Sequence, residues 1–150
     1  MVTWTINRAF LQELKDVNPD YWTTFSQLEQ WLDSLIADPI KTTTAQPEMV
    51  SLIRRLRDEL SRQFRLEETY GYMQTPIIHS QTYAALVEST YNQHKTLYLL
   101  ASEICESAER AEYQGMLTEA YPQLIIDLTR MYQLWNNHEQ AERKLIYESR

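Results

Sequence analysis

Four ionisable residues, Glu67, His94, His138 and Glu142, stand where the surrounding apolar spacing asks for a core residue. Leu52, Leu56, Leu60 and Gln63 or Phe64 lead at helical intervals to Glu67. Tyr83, Leu86, Thr90, His94, Leu97, Ala101 and Ile104 form a second stripe, and Leu124, Leu128, Met131, Trp135, His138, Glu142 and Leu145 a third. A buried carboxylate or imidazole without a partner forfeits roughly several kcal/mol of hydration, so it is kept only where a partner, a proton shift or a metal compensates. Two imidazoles and two carboxylates converging between helices match an iron or manganese site. The i,i+4 spacing of His138 and Glu142 puts both on one face, one turn apart, within reach of a single metal centre. That spacing serves a surface pair equally well, so the weight rests on the constellation.

These side chains need long helices to carry them. A short leading helix is expected from about Asn7 to Val17, with Phe10, Leu11 and Leu14 packing inward. Asn18 then reads as an N-cap with Pro19 in the first helical position. The helix that follows should run to about Ala37, with Trp22, Phe25, Leu28 or Glu29, Leu32 and Ile36 as its stripe, and stop before Asp38-Pro39. A loop over Thr42 to Pro47 leads to a second long helix that opens at Pro47-Glu48 and ends near Gly71. After a short connection through Pro76, a third helix is expected from about Ser80 to Ala108. A fourth follows Gly115, with Pro122 in its first turn or at a kink. Four long amphipathic segments on short links predict an all-α fold: an up-down-up-down antiparallel four-helix bundle, one domain over residues 1–150, with a short N-terminal helix.

Composition narrows the function classes. Two glycines in 150 residues leave too little turn chemistry for a many-stranded β fold. The chain has no apolar run long enough to span a bilayer, and its start lacks a signal-peptide pattern, so a cytoplasmic protein is expected. A single cysteine, Cys105, beside Ile104 on a helix, reads as a buried thiol and fits a reducing compartment. The net charge of −7 argues against nucleic acid and anionic membrane as partners. The arginines between Arg54 and Arg65 alternate with acids, and pairs such as Arg54/Asp58 and Arg55/Glu59 read as a solvated helix face.

No Ser/His/Asp or Cys/His arrangement and no phosphate-cradling glycine loop is evident, so hydrolase and nucleotide-binding readings have no support. The zinc-protease motif would need a histidine at Glu142, and the ferritin-like Glu-x-x-His pair is missing. His79, in the Pro76 to His79 connection, reads as a loop or capping residue.

With these residues in view, the chain resembles the haemerythrin-like, or HHE cation-binding, family. Its four-helix bundle holds two irons between ligands ordered His, His-x-x-x-Glu, His, His-x-x-x-Glu. His94 matches the lone histidine of the third helix, and His138 with Glu142 the pair on the fourth. The stretches Phe64 to Glu68, Gly71 to Met73 and Trp135 to Glu142 resemble bacterial members, and the resemblance covers roughly Asp20 to Glu148. In the first half only Glu67 remains: Gln63 stands where a histidine should, and the first helix has no histidine. A glutamine offers only a neutral amide oxygen, a weaker iron ligand than imidazole.

The resemblance therefore implies non-haem iron, with one site weakened or lost. A single iron would be held by Glu67, His94, His138 and Glu142, with Glu29 in reserve, and could leave a position for a small ligand such as oxygen, peroxide or nitric oxide. Tyr91 or Tyr98 could add a phenol nearby, although core packing is the plainer role for both. Two functions follow: a haemerythrin-like protein that binds or senses oxygen or a related small oxidant, or a metal-free bundle acting as a protein-interaction or regulatory module. An enzyme of peroxide or oxygen chemistry would need an open coordination position that sequence does not reveal.

Overall fold

The computed structural model describes residues 2–39 and 47–148, and within them the chain is predominantly helical. Strand β1 (Thr3–Ile6) precedes helices α1 (Arg8–Asp16) and α2 (Pro19–Ala37). Helix α3 (Pro47–Leu66) runs into a π-helical turn (Glu67–Gly71) and strand β2 (Tyr72–Thr75), and the long helices α4 (Gln81–Tyr113) and α5 (Leu117–Glu148) complete the chain. The loop expected over Thr42 to Gln46 lies outside the described residues, while Pro47 opens α3 as expected.

Local chemistry accounts for the ends of these helices. The Asn7 side chain accepts from the Phe10 amide to start α1, and Asn18 accepts from the Tyr21 amide to start α2, with Pro19 just inside. Ser80 caps α4 in the same way. At the far end of α4, Gly115 takes φ +68°, where a side chain would be strained. The Met116 amide then reaches the Ala111 carbonyl at 2.8 Å and the Gly115 amide the Glu112 carbonyl at 3.2 Å. That is a Schellman ending, and it lets α5 begin two residues later. Pro122 lies inside α5, in its second turn.

The two-stranded sheet was not expected. β1 and β2 pair antiparallel, with Thr3 opposite Thr75 and Ile6 opposite Tyr72. β1 is made of β-branched and aromatic residues that suit a strand, and its partner arrives from a distant part of the chain.

Helix α2 packs on α3, α3 on α4, α4 on α5, and α5 back on α2, while α1 lies against the π turn and α5. The large apolar core between the long helices includes Phe25, Leu56, Leu60, Leu97, Leu128 and Trp135. A smaller core under the sheet and α1 joins Ile6, Leu11, Tyr72, Val87, Leu145 and Ile146. Along the chain, Glu67 falls between Phe64 and Tyr72, His94 between Val87 and Leu97, and His138 and Glu142 between Trp135 and Leu145. The polar positions thus sit at the boundary of two apolar clusters.

Several expectations are corrected. Ile36 is 80% exposed, because α2 turns Leu35 inward instead. Glu29 is also exposed, since Leu28 takes the core position beside it. On α4, Leu86 yields its place to Val87, Tyr98 faces outward, and the helix runs five residues past Ala108. The arginines of α3 bond mostly across helices: Arg54 reaches Glu109 at 3.3 Å and Arg55 reaches Gln27 at 2.9 Å. Among the described residues, no helix is long and apolar enough to cross a membrane.

Candidate metal centre

Glu67, His94, His138 and Glu142 converge: one ligand atom from each lies within 4.8 Å of the others, and all four residues are buried. The cluster could hold a metal ion. Three elements position it. Glu67 starts the π turn at the end of α3, His94 projects from α4, and His138 and Glu142 lie one turn apart on α5. A π-helical turn at such a site is a recurrent functional device.

The hydrogen bonds around the cluster fix the orientation of its donors. His138 Nδ1 faces Gln93 Oε1 at 2.8 Å, so that nitrogen carries the ring proton. In the neutral ring Nε2 is then a lone pair aimed inward, and it has no hydrogen-bond partner. Glu67 Oε1, also fully buried, is likewise without one. His138 Nε2 lies 3.2 Å from Glu142 Oε1, and Glu67 Oε1 lies 3.3 Å from His94 Nε2, close in distance but outside hydrogen-bond geometry. A lone pair set against a carboxylate is repulsive unless a cation stands between them. These two atoms are therefore where a metal ion fits best, and the mixed imidazole and carboxylate donor set suits iron.

His94 is held from both sides. Its Nδ1 lies 3.2 Å from Glu68 Oε2, and its Nε2 lies 3.3 Å from Glu142 Oε2. Burial alone would lower its pKa, but the surrounding carboxylates of Glu142, Glu67 and Glu68 outweigh that and hold it well above the usual histidine range. The Glu68 contact is the carboxylate partner that a metal-bound histidine commonly has on its other nitrogen. Phe64 stacks on the His94 ring, with centroids 4.0 Å apart. A cavity of about 540 Å³ between α3 and α4 is lined in part by Phe64, Glu68, Tyr91 and His94, the last being the one residue of the cluster that borders it.

Other contributors were not anticipated, and Lys15 is the most consequential. From the last turn of α1 its Nζ lies 3.2 Å from Glu67 Oε2, 2.7 Å from Glu139 Oε2 and 2.6 Å from Glu142 Oε1. Burial works against the ammonium, but the carboxylates of Glu142, Glu67 and Glu139 hold its pKa well above the ordinary lysine value. Burial likewise opposes ionisation of Glu142, yet the Lys15 ammonium against it keeps it well below the usual carboxylate range. Glu139 is pushed up, first by burial and then by Glu142 and Glu67, against the pull of Lys15.

Two phenols complete the surround. Tyr72 donates to Glu142 Oε2, and Tyr21 donates to Glu139 Oε1 at 2.6 Å while accepting from the Trp135 indole at 2.6 Å. Burial, aided by those carboxylates, raises both phenols well above the ordinary tyrosine range.

Gln63, read as a gap in the ligand set, turns out to orient it: its amide donates to Glu67 Oε2 at 2.7 Å and its oxygen accepts from Asn18 at 2.7 Å. Glu29 takes no part, being exposed and bonded to Tyr132 instead. Tyr98 is no phenol at the centre, whereas Tyr91 sits at its edge against the Tyr72 and His94 rings. His79 lies in the 76–80 link against the Tyr83 ring, away from the centre, as expected of a loop residue.

Lys15 had a readable signal. It follows Leu11 by four residues on the same face of α1, the argument that singled out Glu67, and these two are the buried residues of that helix. Tyr72 and Gln93 had none. Comparison with protein-family models, with curated proteins and with solved structures finds no match for this chain.

Proposed function

We propose that the chain is a haemerythrin-like four-helix bundle of up-down-up-down topology, in which Glu67, His94, His138 and Glu142 hold one non-haem iron ion that binds or senses oxygen or a related small oxidant. One observation carries this reading: two of the four convergent side chains present buried atoms, Glu67 Oε1 and His138 Nε2, that no protein donor or acceptor satisfies. Bound there, iron would supply coordination chemistry toward a small oxidant. The chain's own residues do the rest. Gln93 fixes the His138 tautomer, Glu68 orients His94, Tyr72 and Lys15 hold Glu142, and Gln63 holds Glu67. The cavity bordered by Phe64 and His94 admits the small molecule from the α3–α4 side.

The test is metal content of protein purified without a histidine tag, stripped by chelator and reloaded anaerobically with ferrous iron, in parallel with His138→Ala. About one iron per chain, lost in the variant, is expected, followed by a change in the optical spectrum when oxygen is admitted. A second reading, the metal-free interaction bundle, is favoured by the three ion pairs of Lys15, which already compensate much of the buried negative charge. Iron on neither protein would leave that reading standing and end the first.

A further inference from the structure

The buried carboxylates face two neighbouring cation positions. Glu67 turns Oε1 toward His94 Nε2 and Oε2 toward Lys15 Nζ. Glu142 has Oε2 3.3 Å from His94 Nε2, while its Oε1 lies 2.6 Å from Lys15 Nζ and 3.2 Å from His138 Nε2. The two carboxylates therefore bridge the four-residue cluster and a second point, where Glu139 adds a third oxygen at 2.7 Å. Three carboxylate oxygens around one buried point are a donor set for a divalent cation. Lys15, 8% exposed, holds that point with its ammonium.

We propose that the Lys15 ammonium stands in a second cation position and so limits the centre to a single divalent metal ion. The inference rests on the metal reading of the four-residue cluster. Charge balance supports it: with both imidazoles neutral, as metal ligands must be, Glu67, Glu139 and Glu142 carry three negative charges, which one divalent ion and Lys15 cancel. Two divalent ions beside Lys15 would leave a buried excess of two positive charges, which a low-dielectric interior strongly disfavours. The position is built rather than incidental. Asn7 caps α1 and its amide bonds the Gly71 carbonyl at 2.8 Å, Leu11 seats the helix, and the Trp22 indole grips the Lys15 carbonyl at 2.6 Å. A cavity of about 380 Å³ lined by Gln12, Lys15, Trp22 and Glu139 would let a hydrated ion reach the point if the ammonium were removed.

The experiment is a titration of the full chain with Co2+ alone, read by bound metal per chain and by thermal melting, in wild type and Lys15→Met. Wild type should bind about one ion and Lys15→Met about two, with the added metal raising the variant's melting temperature more than the wild type's. One ion in both proteins, or two in wild type, would overturn this inference and leave the centre itself standing. No ion on wild type would remove both. If Lys15→Met does not fold alone, folding restored by Co2+ and seen by circular dichroism is the expected result. A variant that stays unfolded with Co2+ would show that a divalent ion cannot replace the ammonium, and would overturn the inference equally.

Discussion

Removing one hydroxyl, in Tyr72→Phe, isolates the hydrogen bond that ties β2 to the centre. The Tyr72 ring packs beside His94 and Tyr91, with centroids 5.4 and 5.6 Å away, and a phenylalanine keeps both contacts. What disappears is the donor to Glu142 Oε2, a carboxylate buried completely. Hydrogen bonds to charged groups contribute about 1.5–3 kcal/mol, so a loss of about 2 kcal/mol is expected. With a urea m-value of about 2 kcal/mol per molar, the unfolding midpoint of chelated protein should fall by about 1 M while the slope stays constant. Repeating the substitution in a Glu142→Gln background completes the cycle. There the acceptor is neutral, and the cost should shrink to about 1 kcal/mol, a coupling of about 1 kcal/mol between the two positions. An unchanged midpoint, or the same loss in both backgrounds, would refute a charge-assisted bond between Tyr72 and Glu142.

Two further outcomes follow from other parts of the molecule. A Cβ at Gly71 would lie 2.9 Å from Leu11 Cδ1 and 3.4 Å from Leu11 Cβ, and Leu11 is fully buried, so Gly71→Ala should destabilise the protein by about 1–3 kcal/mol through displacement of α1. An equilibrium denaturation curve matching wild type would contradict that packing. Cys105 is pushed up to about 11, first by burial and then by its bond to Glu109, against the pull of Arg57. At about pH 8.5 its thiolate fraction is on the order of a hundredfold below that of a free thiol, so iodoacetamide should label native protein at least that much more slowly than urea-unfolded protein. Equal rates would show an accessible, ordinary thiol.

The helical part of the structure was legible because periodicity and caps agree along it. Every residue of the predicted α5 stripe, from Leu124 to Leu145, is buried, and Asn18-Pro19 opens α2 as its chemistry dictates. The four clustered residues were legible for the same reason, since a charge on an apolar stripe contradicts its neighbours. Three kinds of feature escaped. The β1–β2 ladder joins residues nearly seventy apart, and nothing local in either strand names its partner. On short or ambiguous stripes the inward face can slip by one residue, as from Ile36 to Leu35 and from Leu86 to Val87. Lys15 was passed over because a lysine closing a short helix reads as a favourable C-terminal charge, and only the tertiary packing of α1 turns it inward.

The reach of Lys15 across the chain bears on when the centre can exist at all. Its partners Glu139 and Glu142 lie 124 and 127 residues further on, whereas Glu67 is only 52 away. On the ribosome, α1 and α3 emerge long before α5, which brings two of the three carboxylates and the His138 imidazole. Through most of synthesis Glu67 is therefore the one carboxylate of the three that Lys15 can meet, and the four-residue cluster cannot assemble until the last helix leaves the exit tunnel.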